Sequence, residues 1–312
     1  MKLIRGISNL TATQRTKCVA TLGSFDGVHL GHQKIIRRVI EYARQKKLVS
    51  TIITTEPLPR EFFSPENSPP RLTRFRERLE IFADLGVECV LCIPFNRKLA
   101  DTPAEVFVKK ILVDGLHVKH MVCGDDTQFG KDRKGNVQLL QIMSKDLDFT
   151  VETTPTLSQD AGRVSSTRIR ESLSNGNMEV ARQLLGRDFH MSGRVAHGDK
   201  RGRSLGYPTA NIHLRRRQTP VMGIFAVEVG GLASNRLSGV ASVGVRPTFG
   251  GGQCILEVHL FNFTEDIYGQ HVRVYFLHKL RDERRFESPK ALVAQMRIDE
   301  EQARDFFNHR LC

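Results

Sequence analysis

The first half of the chain alternates short runs of β-branched residues with stretches in which apolar residues recur at helical spacing. Residues 18–22 and 48–54 are predicted strands, and the apolar residues between positions 35 and 43 lie on one face of a predicted helix that joins them. A strand, a helix and a second strand in this order form a βαβ unit. A chain that repeats this unit folds as a parallel sheet with helices on its faces.

The same alternation continues to about position 152. A helix over 75–85 is predicted to end at Gly86, which suits the left-handed conformation that follows many helices. Thr102, Pro103 and Glu105 supply an N-cap, a first-turn proline and a capping-box acid, so another helix is expected to begin there. Further strands are predicted at 87–93, 120–122 and 149–152.

Beyond about Leu185 the pattern changes, because glycines become frequent and closely spaced strands replace the helices. Strands are predicted at 225–229, 256–261 and 272–277, and a C-terminal helix at Ser288-Pro289. Such strands with turn signals between them are typical of a small antiparallel barrel or sandwich. A chain of 312 residues exceeds the usual single domain, and we predict two domains, 1–185 and 186–312.

The net charge of +13 predicts anionic partners, without distinguishing a nucleic acid from a nucleotide. Seven arginines and lysines lie between positions 194 and 217 against one acid, so the positive charge has a local concentration. The simpler interpretation of this basic segment is a solvated loop.

The compartment is predicted from the cysteines and from hydropathy. The six cysteines are scattered without a framework spacing, which is typical of free thiols in a reducing cytoplasm. Neither a secretory signal nor a run of membrane-spanning length is expected. Cys89 and Cys92 lie in a predicted strand, where positions three apart face opposite sides, and this argues against a zinc site. We therefore predict a cytoplasmic protein.

The segment Gly23–His32 joins the first predicted strand to the first predicted helix, the position at which open α/β sheets bind ligands. Its glycines let the backbone approach a phosphate, and the helix N-terminus supplies N–H groups and a positive dipole. His29 and His32 can each donate a hydrogen bond to a phosphate oxygen. Two other interpretations stay open, namely that the histidines cap the helix or form part of a metal site.

This segment resembles the HxGH signature of nucleotidyltransferases, and more closely the FDGVHLGH form of the bacterial bifunctional riboflavin kinase/FAD synthetases. The resemblance extends over essentially the whole chain and includes Gly124–Asp126, Phe129–Gly130 and Ser165–Arg170. It implies a first domain of the Rossmann-like HxGH nucleotidyltransferase type, which transfers the adenylyl group of ATP to FMN and forms FAD. It implies a second domain that is a small antiparallel β-barrel of the riboflavin kinase type.

The resemblance also implies roles for residues of the first domain. His29 and His32 are expected to stabilise the charge that develops during adenylyl transfer. Asp126 is expected to hold the adenosine. The other ATP and phosphate contacts are expected from Gly23, Ser24, Phe25, Asp26, Gly27, Gly31, Ser165, Ser166 and Arg168. Taken alone, Ser165–Arg170 could be only the capped start of a helix with exposed arginines.

Two positions depart from the family pattern. Leu58 stands in Glu-Pro-Leu-Pro where many relatives have Glu-Pro-His-Pro, so a phosphate contact from that histidine is missing. Thr127 replaces a phenylalanine that is common after Gly-Asp-Asp. Adenylyl transfer is still expected of the first domain.

The basic segment over 193–211 resembles the riboflavin kinase flap and its Pro-Thr-Ala-Asn motif. A loop with glycines and cationic side chains can fold over a triphosphate, and Thr209 and Asn211 can hold Mg²⁺. By resemblance, further ATP or flavin contacts are expected from Gly193, Arg194, His197, Gly198, Gly206, Pro208, Arg281 and Glu283.

Glu257 is the predicted general base of the second domain. The alternation of strand residues places it on the face opposite Leu256 and Val258. In the related kinases the matching glutamate lies beside the ribityl hydroxyl, so this carboxylate is expected to accept the hydroxyl proton. Without the Pro-Thr-Ala-Asn motif, an ordinary exposed glutamate would be the simpler interpretation.

Two rival functions stay open. The basic charge and the HxGH signature are also compatible with an enzyme that acts on RNA, although no nucleic-acid module is recognisable. The Leu58 departure is compatible with a flavin-binding regulator that has lost catalysis. The favoured prediction has ATP, riboflavin and FMN as small-molecule partners, neither a nucleic acid nor a membrane, and a monomer or weak homo-oligomer.

Overall fold

The computed structural model describes residues 1–10, 16–159, 162–197, 206–216, 218–246 and 253–310. The chain divides into two compact units, and each is described by itself. The first comprises Met1–Pro69 and Thr73–Ser165, and the second comprises Pro70–Leu72 and Ser166–Cys312. The predicted domain limits, 1–185 and 186–312, stay a prediction.

Six of the described strands of the first unit form a parallel sheet in the order β1-β4-β3-β2-β5-β6. They are β1 (Lys2–Arg5), β2 (Cys18–Leu22), β3 (Val49–Glu56), β4 (Cys89–Pro94), β5 (Val118–Gly124) and β6 (Thr150–Thr154). Two short strands, β7 (Ser158–Gln159) and β8 (Gly162–Arg163), pair separately. The predicted parallel sheet is confirmed, with its predicted strands shifted by up to two residues at their ends and with β1 added at one edge.

Helices cover the sheet, and three of them lie where the sequence predicts a helix. The helices of this unit are α1 (Leu30–Lys46), α2 (Pro59–Phe63), α3 (Phe75–Asp84), α4 (Arg97–Ala100), α5 (Ala104–Phe107, continued by π-helical Val108–Val113) and α6 (Val137–Ser144). In α1 the residues Ile36, Val39 and Ala43 are buried, as the predicted helix face requires. Gly86 follows α3 with a φ of 91°, a conformation that favours glycine.

The cap expected at Thr102 is wrong. The Thr102 hydroxyl donates to the Lys98 carbonyl oxygen at 2.7 Å, so it satisfies the end of α4 and does not cap the next helix. Pro103 occupies the N-cap position of α5, without a side-chain cap. A hydroxyl between two helices can bond to either one, and here the carbonyl of the preceding helix is the partner.

The second unit contains a closed antiparallel barrel, as the resemblance implies. Its strands, in the order β10-β13-β12-β11-β14-β9, are β9 (Phe189–Ala196), β10 (Ala210–His213), β11 (Gly223–Gly230), β12 (Leu237–Arg246), β13 (Gln253–Leu260) and β14 (His271–Arg281). Three helices accompany it within the described residues: α7 (Ser166–Ser174), α8 (Met178–Leu185) and α9 (Pro289–Arg310). Ser288 accepts a hydrogen bond from the Ala291 amide at 3.2 Å, which confirms the predicted start of the C-terminal helix.

Two further observations concern the thiols of β4 and the apolar character of the described helices. Cys89 and Cys92 are both buried in β4, and burial raises the pKa of each thiol. In the part of the chain that the structure describes, no helix combines the length and apolar character needed to cross a bilayer.

Candidate functional sites

The strand order creates a switch point in the first sheet at the end of β2. From β2 the chain passes to β3 and β4 on one side, whereas β5 and β6 lie on the other side. The carboxyl ends of β2 and β5 therefore flank a crevice of the kind in which α/β sheets bind ligands. The segments Gly23–His32 and Gly124–Asp126 follow these two strands directly, so the fold brings the first two predicted motifs together.

His29 immediately precedes α1 and caps it. Its Nδ1 atom accepts a hydrogen bond from the His32 amide at 3.3 Å, and the two imidazole rings stack with centroids 3.6 Å apart. A neutral imidazole that accepts at Nδ1 carries its proton on Nε2. The cap interpretation is thus correct and compatible with a ligand role, because capping leaves His29 with an Nε2–H donor. His29 is only 7% exposed, and His32 is half-buried.

Gly31 makes room for this imidazole. A Cβ built on Gly31 would lie 3.2 Å from both Nδ1 and Cε1 of His29, which is tighter than ordinary contact. The same Cβ would lie 3.8 Å from the Val164 carbonyl oxygen. Ser165 follows Val164, so this predicted phosphate contact lies near the beginning of α1.

The loop before α1 has a constrained backbone. Phe25 and Val28 have φ values of 49° and 42°, in the left-handed region that side chains with a Cβ disfavour. Asp26 is buried, and its Oδ1 accepts from the Thr73 amide at 2.9 Å and from the Thr73 hydroxyl at 3.2 Å. The same hydroxyl accepts from the Gly27 amide at 2.9 Å. The Asp26 carboxylate therefore supports the loop from inside the protein.

Arg78 in α3 also supports the loop, and sequence reasoning missed it. Its side chain is completely buried and donates to the Ser24 carbonyl oxygen, to Glu56 Oε2 at 2.8 Å and to Thr54 Oγ1 at 3.4 Å. An arginine within a charged stretch is ordinarily expected in solvent. The available signal was its helical spacing, because Arg78 lies on the same face as the buried Ile81.

Asp126, the predicted adenosine contact, is exposed and forms an ion pair with Arg163. Its neighbour Asp125 accepts from the Thr156 amide at 2.9 Å and the Thr156 hydroxyl at 2.6 Å, and these bonds lower the pKa of Asp125. Both carboxylates are exposed, but they differ in partner: Asp125 links the residues that follow β5 to those that follow β6, and Asp126 pairs with Arg163. Thr127, the departure beside them, is half-buried.

An aromatic cluster that the sequence analysis missed lies at the carboxyl ends of β3 and β4. Phe62 and Phe63 in α2 and Phe95 after β4 contact one another edge-on, with centroids 5.3 to 5.8 Å apart. Phe63 is 62% exposed. Leu58, the second departure, is buried at the start of α2 and donates its amide to Glu61 Oε2 at 2.9 Å.

Ser166 and Arg168, the remaining residues predicted to contact the triphosphate, belong to the second unit. They lie in the first turn of α7, whose Ile169 and Leu173 are buried. A helix therefore begins in this segment as the alternative interpretation expects, but Arg168 and Arg170 are half-buried and not exposed, and Arg170 donates to the Pro70 carbonyl oxygen at 2.7 Å. A contact of Ser166 or Arg168 with ATP stays a prediction.

In the barrel, Glu257 lies in a row of polar residues. Its Cα partners are Asn211 on β10 and Ser242 on β12. Leu256 and Val258, on either side of Glu257, are buried in the barrel, so the row lies on the outer face as the alternation predicts. A carboxylate, an amide and a hydroxyl are thus neighbours on three adjacent strands.

The residues before β10 connect this row to the predicted flap. Pro208 and Thr209 lead into the strand, and the Pro208 carbonyl oxygen is 2.9 Å from His259 Nδ1. His259 lies two positions after Glu257 and therefore on the same outer face. Tyr207 contacts the His259 ring edge-on at 5.2 Å. Sequence reasoning missed His259, although its strand spacing from Glu257 was a signal.

The other predicted flap residues have mixed surroundings. Gly193 lies where β9 meets β10, and a Cβ there would clash at 2.6 Å with the His213 carbonyl oxygen, so glycine is needed to close the barrel. Arg194 is exposed and donates to the Gly269 carbonyl oxygen at 2.6 Å. The His197 ring lies 3.9 Å from that of Tyr268. Gly206 is exposed with a φ of 83°. Gly198 lies outside the described residues.

Glu283 and Arg281 differ in their surroundings. Ser242 Oγ donates to Glu283 Oε1 at 3.5 Å, and Gly244 provides the space that the carboxylate occupies. Burial raises the pKa of Glu283. Arg281 forms a two-pronged ion pair with the buried Asp299 of α9, at 2.8 and 2.6 Å. Arg281 therefore anchors the C-terminal helix, whereas Glu283 faces the polar row.

Comparisons with known proteins agree with this division into two sites. A model of the FAD synthetase family matches residues 11–168, and a model of the riboflavin kinase family matches residues 185–307. A bifunctional riboflavin kinase/FMN adenylyltransferase from Escherichia coli (strain K12) is 45% identical over 307 residues, which cover 98% of each chain. Its namesake from Haemophilus influenzae is 43% identical over 308 residues, covering 99% of this chain and 100% of the relative.

Among solved structures, one described as a macrolide-efflux protein from Streptococcus pneumoniae matches with a TM-score of 0.83 at 33% identity. The match covers 97% of this chain and 99% of that chain. Two family models and relatives similar over their full length thus agree on one assignment. The chain belongs to the family of bifunctional riboflavin kinase/FMN adenylyltransferases.

Proposed function

We propose that this chain makes flavin cofactors in two ATP-dependent steps: the barrel phosphorylates riboflavin to FMN, and the parallel-sheet unit adenylylates FMN to FAD. One observation carries the proposal. The two family matches fall on two different folds, and each fold presents its own set of groups suited to a nucleotide. A single activity would not need both sets.

For adenylyl transfer, we propose that ATP lies with its phosphates at the start of α1. The helix N-terminus and the Nε2–H of His29 would donate to phosphate oxygens. An FMN phosphate oxygen would attack the α-phosphorus of ATP, and the bond to the departing pyrophosphate would break. His29 and His32 would stabilise the charge that develops on the phosphate oxygens.

The aromatic cluster of Phe62, Phe63 and Phe95 supplies a site for the flavin ring in this proposal. It lies at the end of β3, the strand that neighbours β2, on the same edge of the sheet as the His29 loop. A planar tricyclic ring buries well against aromatic side chains. Leu58, buried at the start of α2, is apolar where a histidine would add a polar group.

For the kinase step, we propose that Glu257 accepts the proton of the riboflavin 5′-hydroxyl while the hydroxyl oxygen attacks the γ-phosphorus of ATP. The bond to ADP breaks in the same step. Glu257 is half-exposed and lies on the outer face of the barrel, so a substrate can reach it. Glu283, next to Ser242 in the same row, would border the flavin.

Mg²⁺ is the proposed metal of the kinase step, and the donor set fits it. The Thr209 hydroxyl and the amide oxygen of Asn211 are the hard oxygen ligands that Mg²⁺ takes, and the Glu257 carboxylate is beside Asn211. When bound, the metal would neutralise phosphate charge. Thr209 and Asn211 would hold it, and the backbone before β10 would fix their separation.

A single incubation tests the proposal. Purified protein is mixed with riboflavin, ATP and Mg²⁺, and the flavins are separated by chromatography over time. FMN should appear first and FAD second. Flavin binding without ATP turnover would favour the regulator interpretation, and tight salt-sensitive RNA binding without flavin turnover would favour an enzyme that acts on RNA.

A further inference from the structure

Arg78 is a buried cation beneath the loop between β2 and α1. One of its terminal nitrogens donates to the Ser24 carbonyl oxygen, and the other donates to Glu56 Oε2 at 2.8 Å. A buried ion pair is often no more stabilising than well-packed apolar side chains of the same volume. The placement of Arg78 therefore indicates a use besides stability.

The hydrogen bond to Ser24 fixes the orientation of one peptide group. In a trans peptide the carbonyl oxygen and the amide hydrogen point in opposite directions. Because the Ser24 oxygen points toward Arg78, the N–H of Phe25 points to the opposite side of the loop, away from Arg78. The next residues along the chain lead into the N-terminus of α1, where the phosphates are proposed to lie.

The loop needs external support to keep this orientation. Phe25 and Val28 have left-handed φ values that their side chains disfavour. Such backbone persists only where the surrounding contacts over-determine it. Arg78 supplies a contact at Ser24, and Thr73 supplies contacts at Asp26 and Gly27.

We propose that Arg78 is a positioning residue for adenylyl transfer. By holding the Ser24 carbonyl, it directs the Phe25 N–H toward a nonbridging oxygen of the α-phosphate. A donor that is oriented before the reaction stabilises developing charge without reorganising. Arg78 itself does not contact the nucleotide. The inference rests on the proposed adenylyl transfer and deepens it.

The test compares Arg78→Lys with Arg76→Lys, a matched control on the exposed face of α3 whose side chain is 68% exposed. We expect Arg78→Lys to lower kcat for FAD formation roughly 10- to 10³-fold, the range for removing one oriented donor, with a smaller change in KM for ATP. Riboflavin phosphorylation should not change, and Arg76→Lys should match the unaltered chain in both reactions.

Adenosine 5′-(1-thiotriphosphate) provides a readout that a purely structural role would not move. Sulfur replaces one nonbridging oxygen of the α-phosphate in each diastereomer, so the unaltered chain should prefer the isomer that keeps oxygen at the Phe25 N–H. Arg78→Lys should lose that preference. Glu56→Gln should keep it, because the bond from Arg78 to Ser24 remains.

Several outcomes would overturn the inference. One is an unaltered chain that makes FAD but shows no preference between the two isomers. Another is an Arg78→Lys variant that is slower but keeps the preference, or that loses both activities equally. Should Arg78→Lys fail to fold, Arg78→Gln, which keeps a donor on a shorter side chain, takes its place. An unaltered chain that forms no FAD would instead defeat the proposed function.

Discussion

Asn211 and Glu257 lie directly opposite each other on neighbouring antiparallel strands of the barrel. Residues paired in this way share one face, with their Cβ atoms about 4.5–5.5 Å apart. An amide oxygen suited to a metal and a carboxylate suited to a proton thus lie side by side although 46 positions separate them in the sequence. This pairing gives the kinase proposal its geometry.

Replacing Glu257 with glutamine should slow FMN formation by roughly 10²–10⁴-fold, the usual contribution of a general base. FAD formation from supplied FMN should continue at its original rate. Initial rates of both reactions measure the effect, and Glu265→Gln, at an exposed position of the same unit, is the control. Equal loss of both activities in a folded variant would show that the two sites are not separate.

Replacing His29 should do the converse. His29→Ala removes both the imidazole and the cap of α1, so FAD formation should fall while riboflavin phosphorylation continues. The lost cap should also lower the free energy of unfolding by about 1 kcal/mol. His29→Asn separates the two effects, since asparagine is a good N-cap: it should recover the stability but not the activity. Full activity in His29→Asn would contradict a role for the imidazole.

Gly31→Ala tests whether the position of the His29 ring matters. The added Cβ would lie 3.2 Å from the ring, so the imidazole should shift by a few tenths of an ångström. We expect kcat for FAD formation to fall about tenfold, because misplacement on a scale of 1 Å can reduce a rate roughly 10²-fold. Thermal unfolding should change little, since alanine favours the helix. An unchanged rate would mean that the ring position is not critical.

Asp299→Ala should destabilise the barrel unit. It leaves the Arg281 guanidinium, which is 19% exposed, without its buried carboxylate partner. Breaking such a pair should lower the free energy of unfolding by about 3 kcal/mol. The control is Glu300→Ala, which removes the i,i+4 pair with Arg304 and should cost about 0.3–0.5 kcal/mol. Denaturant titration measures both variants, and equal losses would contradict the anchoring role.

The first unit should lose stability as the pH falls below about 6.5, and His120 is the reason. Burial lowers the pKa of His120 from its ordinary value of 6.5, against the opposing effect of Glu152. The unfolded chain therefore takes up this proton first, so the neutral form contributes stability above pH 6.5 that is lost as the pH falls through the folded pKa. Arg38 and Glu152 face the ring, and Tyr42 stacks on it at 3.8 Å.

His120→Gln provides the comparison for this pH dependence. Unfolding titrations between pH 7.5 and 5 should give a flatter pH profile for the variant than for the unaltered chain, because glutamine does not titrate. Parallel profiles would assign the acid sensitivity to other groups.

Local patterns predicted much of what the structure contains. The α1 face, the C-terminal helix at Ser288 and the outward position of Glu257 all follow from periodicity and capping, which depend on residues within a few positions of each other. The predicted Thr102 cap was wrong because the hydroxyl had two possible partners nearby, one in the preceding helix and one in the next. The sequence alone does not determine which of them it bonds to.

The sequence by itself determined the two fold types, the family resemblance and which segments carry the chemistry. Only the tertiary structure decided what the charged side chains at those segments do: Arg78 bonds to Ser24 across 54 positions, Asp26 to Thr73 across 47, and Arg281 to Asp299 across 18. The physical reason is that burial of a charge depends on partners that form hydrogen bonds or ion pairs with it, and chain folding brings those partners together from distant positions. A local pattern predicts which face of a helix or strand is apolar, but it does not predict which charged side chain will be buried against a partner.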